Sequence, residues 1–219
     1  MFRTHRKLFL TSVIMGIILF SAYGQNLLCS SPSPGRDDLS IDTSDPSSNL
    51  ELLSLDSVPA SCPGIYTVEE TEGPYYKKGS PERSNLIEDG VAGEIFTLTG
   101  YVFDKDCKPI AGAWLDFWQA DGNGVYDNAG FRLRGHQYTD ENGLYVLKTV
   151  LPGVYPGRTN HIHVKVSKKA GGPAITSQLF FPEGKLNASD RIYHESLLVK
   201  MGKNSNGQNI GFFNFRLNQ

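Results

Sequence analysis

His161-Ile162-His163-Val164-Lys165-Val166 alternates polar and apolar residues without a break. In a strand, alternate side chains share a face, so the two histidines point one way while Ile162, Val164 and Val166 pack on the other. At a rise of roughly 3.3 Å per residue, the roots of His161 and His163 lie about 6–7 Å apart. Two imidazoles so placed can close on one metal ion.

The segments around it are built alike. Ile95–Phe103, Ala113–Ala120, Leu144–Thr149 and His161–Ser167 are each rich in β-branched and aromatic residues. Turn chemistry separates them: Asp-Gly-Asn-Gly at 121–124, Asp-Glu-Asn-Gly at 140–143 and Pro-Gly at 152–153. No stretch past residue 62 sustains helical periodicity for three turns, and no internal repeat is present. Short strands at this spacing argue for a sandwich or barrel. The fold expected over residues 62–219 is an all-β sandwich of short, mostly antiparallel strands.

Ahead of it, Arg3, Arg6 and Lys7 precede an apolar run from Leu8 to Phe20, followed by the small residues Ala22 and Gly24. That is the layout of a secretory signal peptide over residues 1–24. A membrane anchor is the alternative, but the run is shorter than the roughly 20 apolar residues a spanning helix needs. Residues 25–61 are rich in Ser, Pro and Asp and are read as a flexible lead-in that buries too little surface to order. A secreted protein, free of the membrane once the signal is removed, is the expectation. The formal charge of −2 gives no electrostatic reason to expect a nucleic-acid partner.

Oxidising surroundings favour pairing two of the three cysteines. Cys62 opens the folded region and Cys107 sits in a turn, so a bridge between them is expected, with Cys29 left unpaired; the sequence does not establish that connectivity. Asn187-Ala188-Ser189 is an N-glycosylation acceptor motif.

His-x-His in a strand is a weak signal alone, since many sandwiches carry it as polar surface. Two tyrosines stand at turns nearby: Tyr126 after the 121–124 turn, and Tyr155 six residues before His161. Taken singly, each reads as a core-edge residue with its hydroxyl in water.

Five strings occur in order: Thr-Glu-Gly-Pro-Tyr-Tyr (71–76), Leu-Asp-Phe-Trp-Gln-Ala-Asp (115–121), Gly-Val-Tyr-Asp (124–127), Phe-Arg-Leu-Arg-Gly (131–135) and Tyr-Pro-Gly-Arg-Thr-Asn-His-Ile-His (155–163). From about Cys62 to Phe181 the chain resembles the intradiol ring-cleavage dioxygenases, the catechol 1,2- and protocatechuate 3,4-dioxygenase family, and within it the secreted single-domain branch. The resemblance implies one Fe(III) per chain held by Tyr126, Tyr155, His161 and His163. It implies catechol and O2 as substrates, with ring opening between the hydroxylated carbons to a muconate-type diacid. Phenolates are hard anionic donors that suit Fe(III).

It also implies that Tyr155 leaves the metal and accepts a substrate proton. Arg158 then stabilises carbanion-like charge on the ring, and Gln178 orients groups behind the iron. Gly73, Pro74 and Tyr75 form one wall of the catechol pocket, and Asp121 is a candidate for the opposite wall. No helical segment like the dimerisation region of the cytoplasmic relatives is present, so a monomer is expected. The short Tyr155–His161 connector suggests an open pocket that admits substituted catechols.

His136 and His194 match no ligand position, and Trp114 and Trp118 are read as strand aromatics. The rival readings are a metal-free binding sandwich, and a zinc or Fe(II) site completed by a carboxylate. Glu183 and Asp190 are candidates for that carboxylate only through nearness in sequence.

Overall fold

The computed structural model describes residues 60–219. The expected signal peptide, Cys29 and nearly all of the 25–61 lead-in lie outside the described residues.

Among the described residues, nine strands form two sheets. They are β1 (Ile95–Phe103), β2 (Trp114–Trp118), β3 (Arg134–Tyr138), β4 (Leu144–Val150), β5 (His161–Ser167), β6 (Ala174–Phe180), β7 (Lys200–Lys203), β8 (Asn209–Phe212) and β9 (Phe215–Arg216). The only helical elements among the described residues are two single 3₁₀ turns, Asn187–Ser189 and Glu195–Leu197. One sheet runs β4-β1-β8-β7, with β9 also paired to β1; the other runs β3-β2-β5-β6. The second is wholly antiparallel. In the first, β1 pairs in parallel with β8 and β9. The sandwich is therefore mostly antiparallel, as expected, with a parallel seam at β1.

The inner faces pack as strand alternation requires. Ile162, Val164 and Val166 join Leu115, Phe117 and Leu179 from the second sheet, and Phe96, Leu98 and Leu147 from the first, in one buried cluster. Phe117 is fully buried. Its replacement by alanine is expected to cost about 3–5 kcal/mol of folding stability, read as a shift in the urea midpoint at unchanged slope.

The outer face of the second sheet carries the polar residues. Register sets them in rows: Arg134 on β3 opposes Trp118 on β2, Trp118 opposes His163 on β5, and His163 opposes Gln178 on β6. The chain before β1 crosses over this row. Glu70 N donates to Thr176 O at the β6 edge. Arg83 N donates to His136 O at the β3 edge, and Leu86 N to Lys148 O on β4. The strap so formed covers strand edges that would otherwise be open to pairing with another chain. It also lays Gly73–Tyr76 across the histidines.

A disulfide joins Cys62 to Cys107, with Cα atoms 5.5 Å apart and a sequence separation of 45. It ties the start of the strap to the turn after β1. Closing a loop of that length restricts the unfolded chain by about 4 kcal/mol on the chain-entropy estimate. The double variant Cys62→Ser/Cys107→Ser should lose about 2–4 kcal/mol in urea denaturation. An unmoved midpoint would count against this role for the bridge.

Candidate metal centre

His161 and His163 are buried, at 2% and 1% exposure, on the strap-covered face of β5. His161 Nδ1 lies 2.7 Å from the Thr159 carbonyl, which sets that nitrogen as the protonated one and leaves Nε2 with a free lone pair. The two Nε2 atoms face each other at 3.0 Å. Nitrogens so placed share either one proton or one cation. At metal–imidazole bonds of about 2.1 Å, two ligands at right angles span about 3.0 Å. Burial pushes the His161 pKa down to about 4, with the Arg158 charge adding to it. Burial, the neighbouring His161 and Arg158 push His163 well below its ordinary value. Both rings are therefore neutral at pH 7, the form that binds metals.

Tyr126 and Tyr155 close on the pair from two loops. The ring of Tyr155 lies 5.6 Å from that of His161, and the ring of Tyr126 lies 6.4 Å from His163 and 5.7 Å from Tyr155. The Tyr126 hydroxyl is buried without a hydrogen-bond partner. A buried unpaired hydroxyl is costly, and a cation held by its deprotonated oxygen would satisfy the group. Desolvation, reinforced by Tyr155, raises Tyr126 well above the ordinary phenol range. Desolvation also raises Tyr155, against the pull of Arg158. Without a metal both are neutral phenols. The donor set of two neutral imidazoles and two ionisable phenols fits a hard trivalent cation.

Asp121 builds the loop that delivers Tyr126. Its carboxylate accepts the N–H groups of Asn123 and Val125 at 2.9 and 3.0 Å. Its carbonyl accepts from Gly124 and Gly153, joining the loop to the Tyr155 segment. A side chain at Gly124 would meet the Val154 carbonyl at 2.0 Å, so the two tyrosine loops touch only because that residue is glycine. Both of those carboxylate bonds end on Asp121 Oδ1, so this side chain shapes the loop that carries Tyr126.

Arg158 reaches the centre from a tight turn in which its N–H returns to the Tyr155 carbonyl. Its guanidinium donates to the Tyr155 hydroxyl at 3.1 Å, to Gln178 Oε1 at 2.5 Å and to Asp190 Oδ2 at 2.9 Å. Gln178, fully buried behind the histidines, donates to the Thr71 carbonyl of the strap. Gly73 adopts φ +70°, and a side chain there would come within 3.6 Å of His163 Cε1. Beside it Tyr75 stacks on Tyr126, with ring centroids 4.3 Å apart, and meets Tyr155 edge-on. The Gly73–Tyr75 segment thus lies against His163, Tyr126 and Tyr155.

The carboxylate-completed alternatives find no support here. Among the described residues no group of three or more His, Cys, Asp and Glu side chains could hold a metal. Glu183 is exposed, and Asp190 is committed to Arg158.

A family model described as dioxygenase matches residues 71–218. The chain belongs to the intradiol ring-cleavage dioxygenase family. It is 30% identical over 174 residues to a hydroxyquinol 1,2-dioxygenase of Rhizobium sp. (strain MTP-10005), covering 65% of this chain and 58% of that one. It is 32% identical over 123 residues to a catechol 1,2-dioxygenase of Acinetobacter baylyi, covering 49% of this chain and 40% of that one. Both curated relatives are thus matched over less than two thirds of their length. Among solved structures, the dioxygenase domain of a carbohydrate-binding fusion from Streptomyces sp. SirexAA-E is 44% identical with a TM-score of 0.66, over 70% of this chain and 99% of that one. An intradiol ring-cleavage dioxygenase from Tetranychus urticae is 28% identical with a TM-score of 0.65, over 70% of this chain and 95% of that one.

Within this family site, two residues act that the sequence reading placed elsewhere. Trp118 is more than a strand aromatic: it lies flat on His163, centroids 4.7 Å apart and planes 9° apart, and fixes the ring's orientation. Asp190, 1% exposed at its side chain, accepts both Arg158 Nε and Thr159 N, and Thr159 in turn holds His161. Burial opposes its ionisation, but the bonds from Thr159, Ile192 and Arg158 outweigh this and hold it below the usual carboxylate range.

The remaining candidates sit apart from the centre. His136 Nδ1 lies 2.8 Å from the Ser80 carbonyl, and His194 caps the second 3₁₀ turn. Trp114 is half-buried beside His136. Asn187 is turned inward: its amide nitrogen donates to the Phe181 carbonyl at 2.8 Å, and its oxygen accepts from Thr159 at 2.7 Å. Through these two bonds the Asn187 side chain braces the Thr159 loop.

Proposed function

We propose that this chain opens catechol rings between the two hydroxylated carbons with O2, at a ferric ion held by Tyr126, Tyr155, His161 and His163. The observation that carries the reading is the convergence of two neutral imidazole nitrogens 3.0 Å apart with a buried, unpartnered phenol. When bound, the ion would supply Lewis acidity and a template for the two catechol oxygens.

The protein's own groups do the rest. The Tyr155 oxygen, within hydrogen-bond reach of Arg158, is placed to take a proton from a substrate hydroxyl. The Arg158 charge is fixed by Asp190 and Gln178 and faces the region where negative charge develops on the ring. Trp118 and Thr159 hold the histidine rings so that neither reorients during reaction. Tyr75, stacked on Tyr126, offers aromatic surface to the substrate ring.

The overall change is balanced without an external reductant: one carbon–carbon bond breaks, and both atoms of O2 enter the product diacid. Turnover of catechol under ¹⁸O2 is the test. A muconate-type diacid carrying two heavy oxygens, with one O2 consumed per catechol, is expected. A quinone, or a product opened outside the diol, would overturn the reading.

All four donors come from one chain, which supports one ion per chain; that the chain works as a monomer is proposed with it, and sedimentation at equilibrium tests it. Export is part of the same proposal, supported by the Cys62–Cys107 disulfide, a bond that oxidising compartments favour. Activity on substituted catechols, inferred from the short Tyr155–His161 connector, is a further part of the proposal. Refusal of every bulky catechol while plain catechol turns over would contradict that part.

A further inference from the structure

The row of side chains under the strap begins with Arg134, for which the proposed chemistry has no task. Its guanidinium is 2% exposed and bonds only to main-chain carbonyls: Nη1 to Tyr75 at 2.6 Å, and Nε and Nη2 to Asp127 at 3.1 and 3.0 Å. The Asp127 carboxylate is occupied by the N–H groups of Ala129, Gly130 and Arg132. Among the described residues no carboxylate lies within ion-pair distance of Arg134. The charge stands instead 5.9 Å from the centroid of the Tyr126 ring.

A buried cation without an ion-pair partner is expensive to keep. Two features show what it does. Tyr75 belongs to the strap, Asp127 directly follows Tyr126, and Arg134 is the bond between them. An open depression lined by Pro74, Tyr75, Tyr76, Lys77, Asn128 and Arg134 lies at that point, so on this side the strap is held by the Arg134 bond and not by packed neighbours.

Building on the ferric catechol reading, we propose that Arg134 is a positioning residue that couples the substrate wall to the metal centre. It holds Tyr75 in register with Tyr126 and sets a permanent positive charge 5.9 Å from the centre of the Tyr126 ring.

Arg134→Met and Arg134→Lys, each loaded with ferric ion, test this. In a tyrosinate-to-iron absorption band the phenolate is the electron donor, so losing a nearby cation raises the donor level and lowers the transition energy. The Met variant should therefore absorb at longer wavelength than the parent. Its KM for catechol should rise about tenfold, with a smaller fall in kcat, as expected for one lost charge-assisted hydrogen bond to the wall. The Lys variant keeps the charge but not the fork of donors, so its band should stay in place while KM still rises.

A folded Met variant with parental band and parental KM would overturn the proposal. So would a Lys variant whose band moves as far as that of the Met variant. If the Met variant does not fold, the Lys variant decides: a raised KM with an unmoved band supports the coupling, and an unchanged KM refutes it. A parent protein that shows no band at all would instead sink the ferric reading, and this inference with it.

Discussion

Replacing His163 by alanine should remove ferric binding and lower ring-opening turnover by about 10³-fold or more. The magnitude follows from the several kcal/mol that a Lewis-acid metal contributes, at 1.36 kcal/mol per tenfold. His163 is 1% exposed, yet it lies outside the main hydrophobic cluster, on the strap-covered face of β5. The sandwich should therefore survive the change. Metal content per chain, O2 uptake with catechol and the thermal midpoint separate the possibilities. Loss of iron and turnover from a folded protein is the expected result, and a variant that keeps both would show that His163 is not a ligand. Tyr126→Phe, which deletes only the buried hydroxyl, should give the same loss of metal while removing an unpartnered polar group from the fold.

The second large effect falls on a residue that touches neither metal nor substrate. Asp190→Asn removes the charge that pairs with Arg158 and weakens the acceptor for Thr159 N. Two lines of support fail together: Arg158 loses its anchor on the side opposite Gln178, and the Thr159 carbonyl that orients His161 is freed to shift. Outer partners of metal ligands typically matter by about 10–100-fold in affinity or activity, and that range is expected here. The fall should appear mainly in kcat, since Asp190 bonds directly to Arg158 and Thr159 and reaches the strap only through Arg158 and Gln178. A comparable rise in KM with kcat intact would instead mean that Asp190 serves the wall.

Strand alternation placed His161 and His163 on one face and Ile162, Val164 and Val166 in the core, because period-two patterning is a local property. The turns at 121–124 and 140–143 were readable for the same reason, as their glycines and Asx side chains act over a few residues. The parallel pairing of β1 with β8 and β9 was not readable, because partner choice among short strands depends on the whole sheet. Tyr126 and Tyr155 sit on loops without periodicity, so only their place in ordered motifs singled them out. Trp118 needed the β2–β5 register to be seen lying on His163. Asp190 lies 32 residues from Arg158, and only folding shows that its carboxylate meets the guanidinium. Asn187 was legible as a glycosylation motif, and only folding shows its amide bonded to Phe181 and Thr159.

The most direct test of the whole account is the visible spectrum of the ferric-loaded protein, taken before and after anaerobic addition of catechol. A broad tyrosinate-to-iron band, seen as a red colour that shifts when catechol binds, is the predicted result and would report the ligands and the substrate class together. A protein that stays colourless after ferric loading would contradict the account and leave a sandwich that binds without a metal.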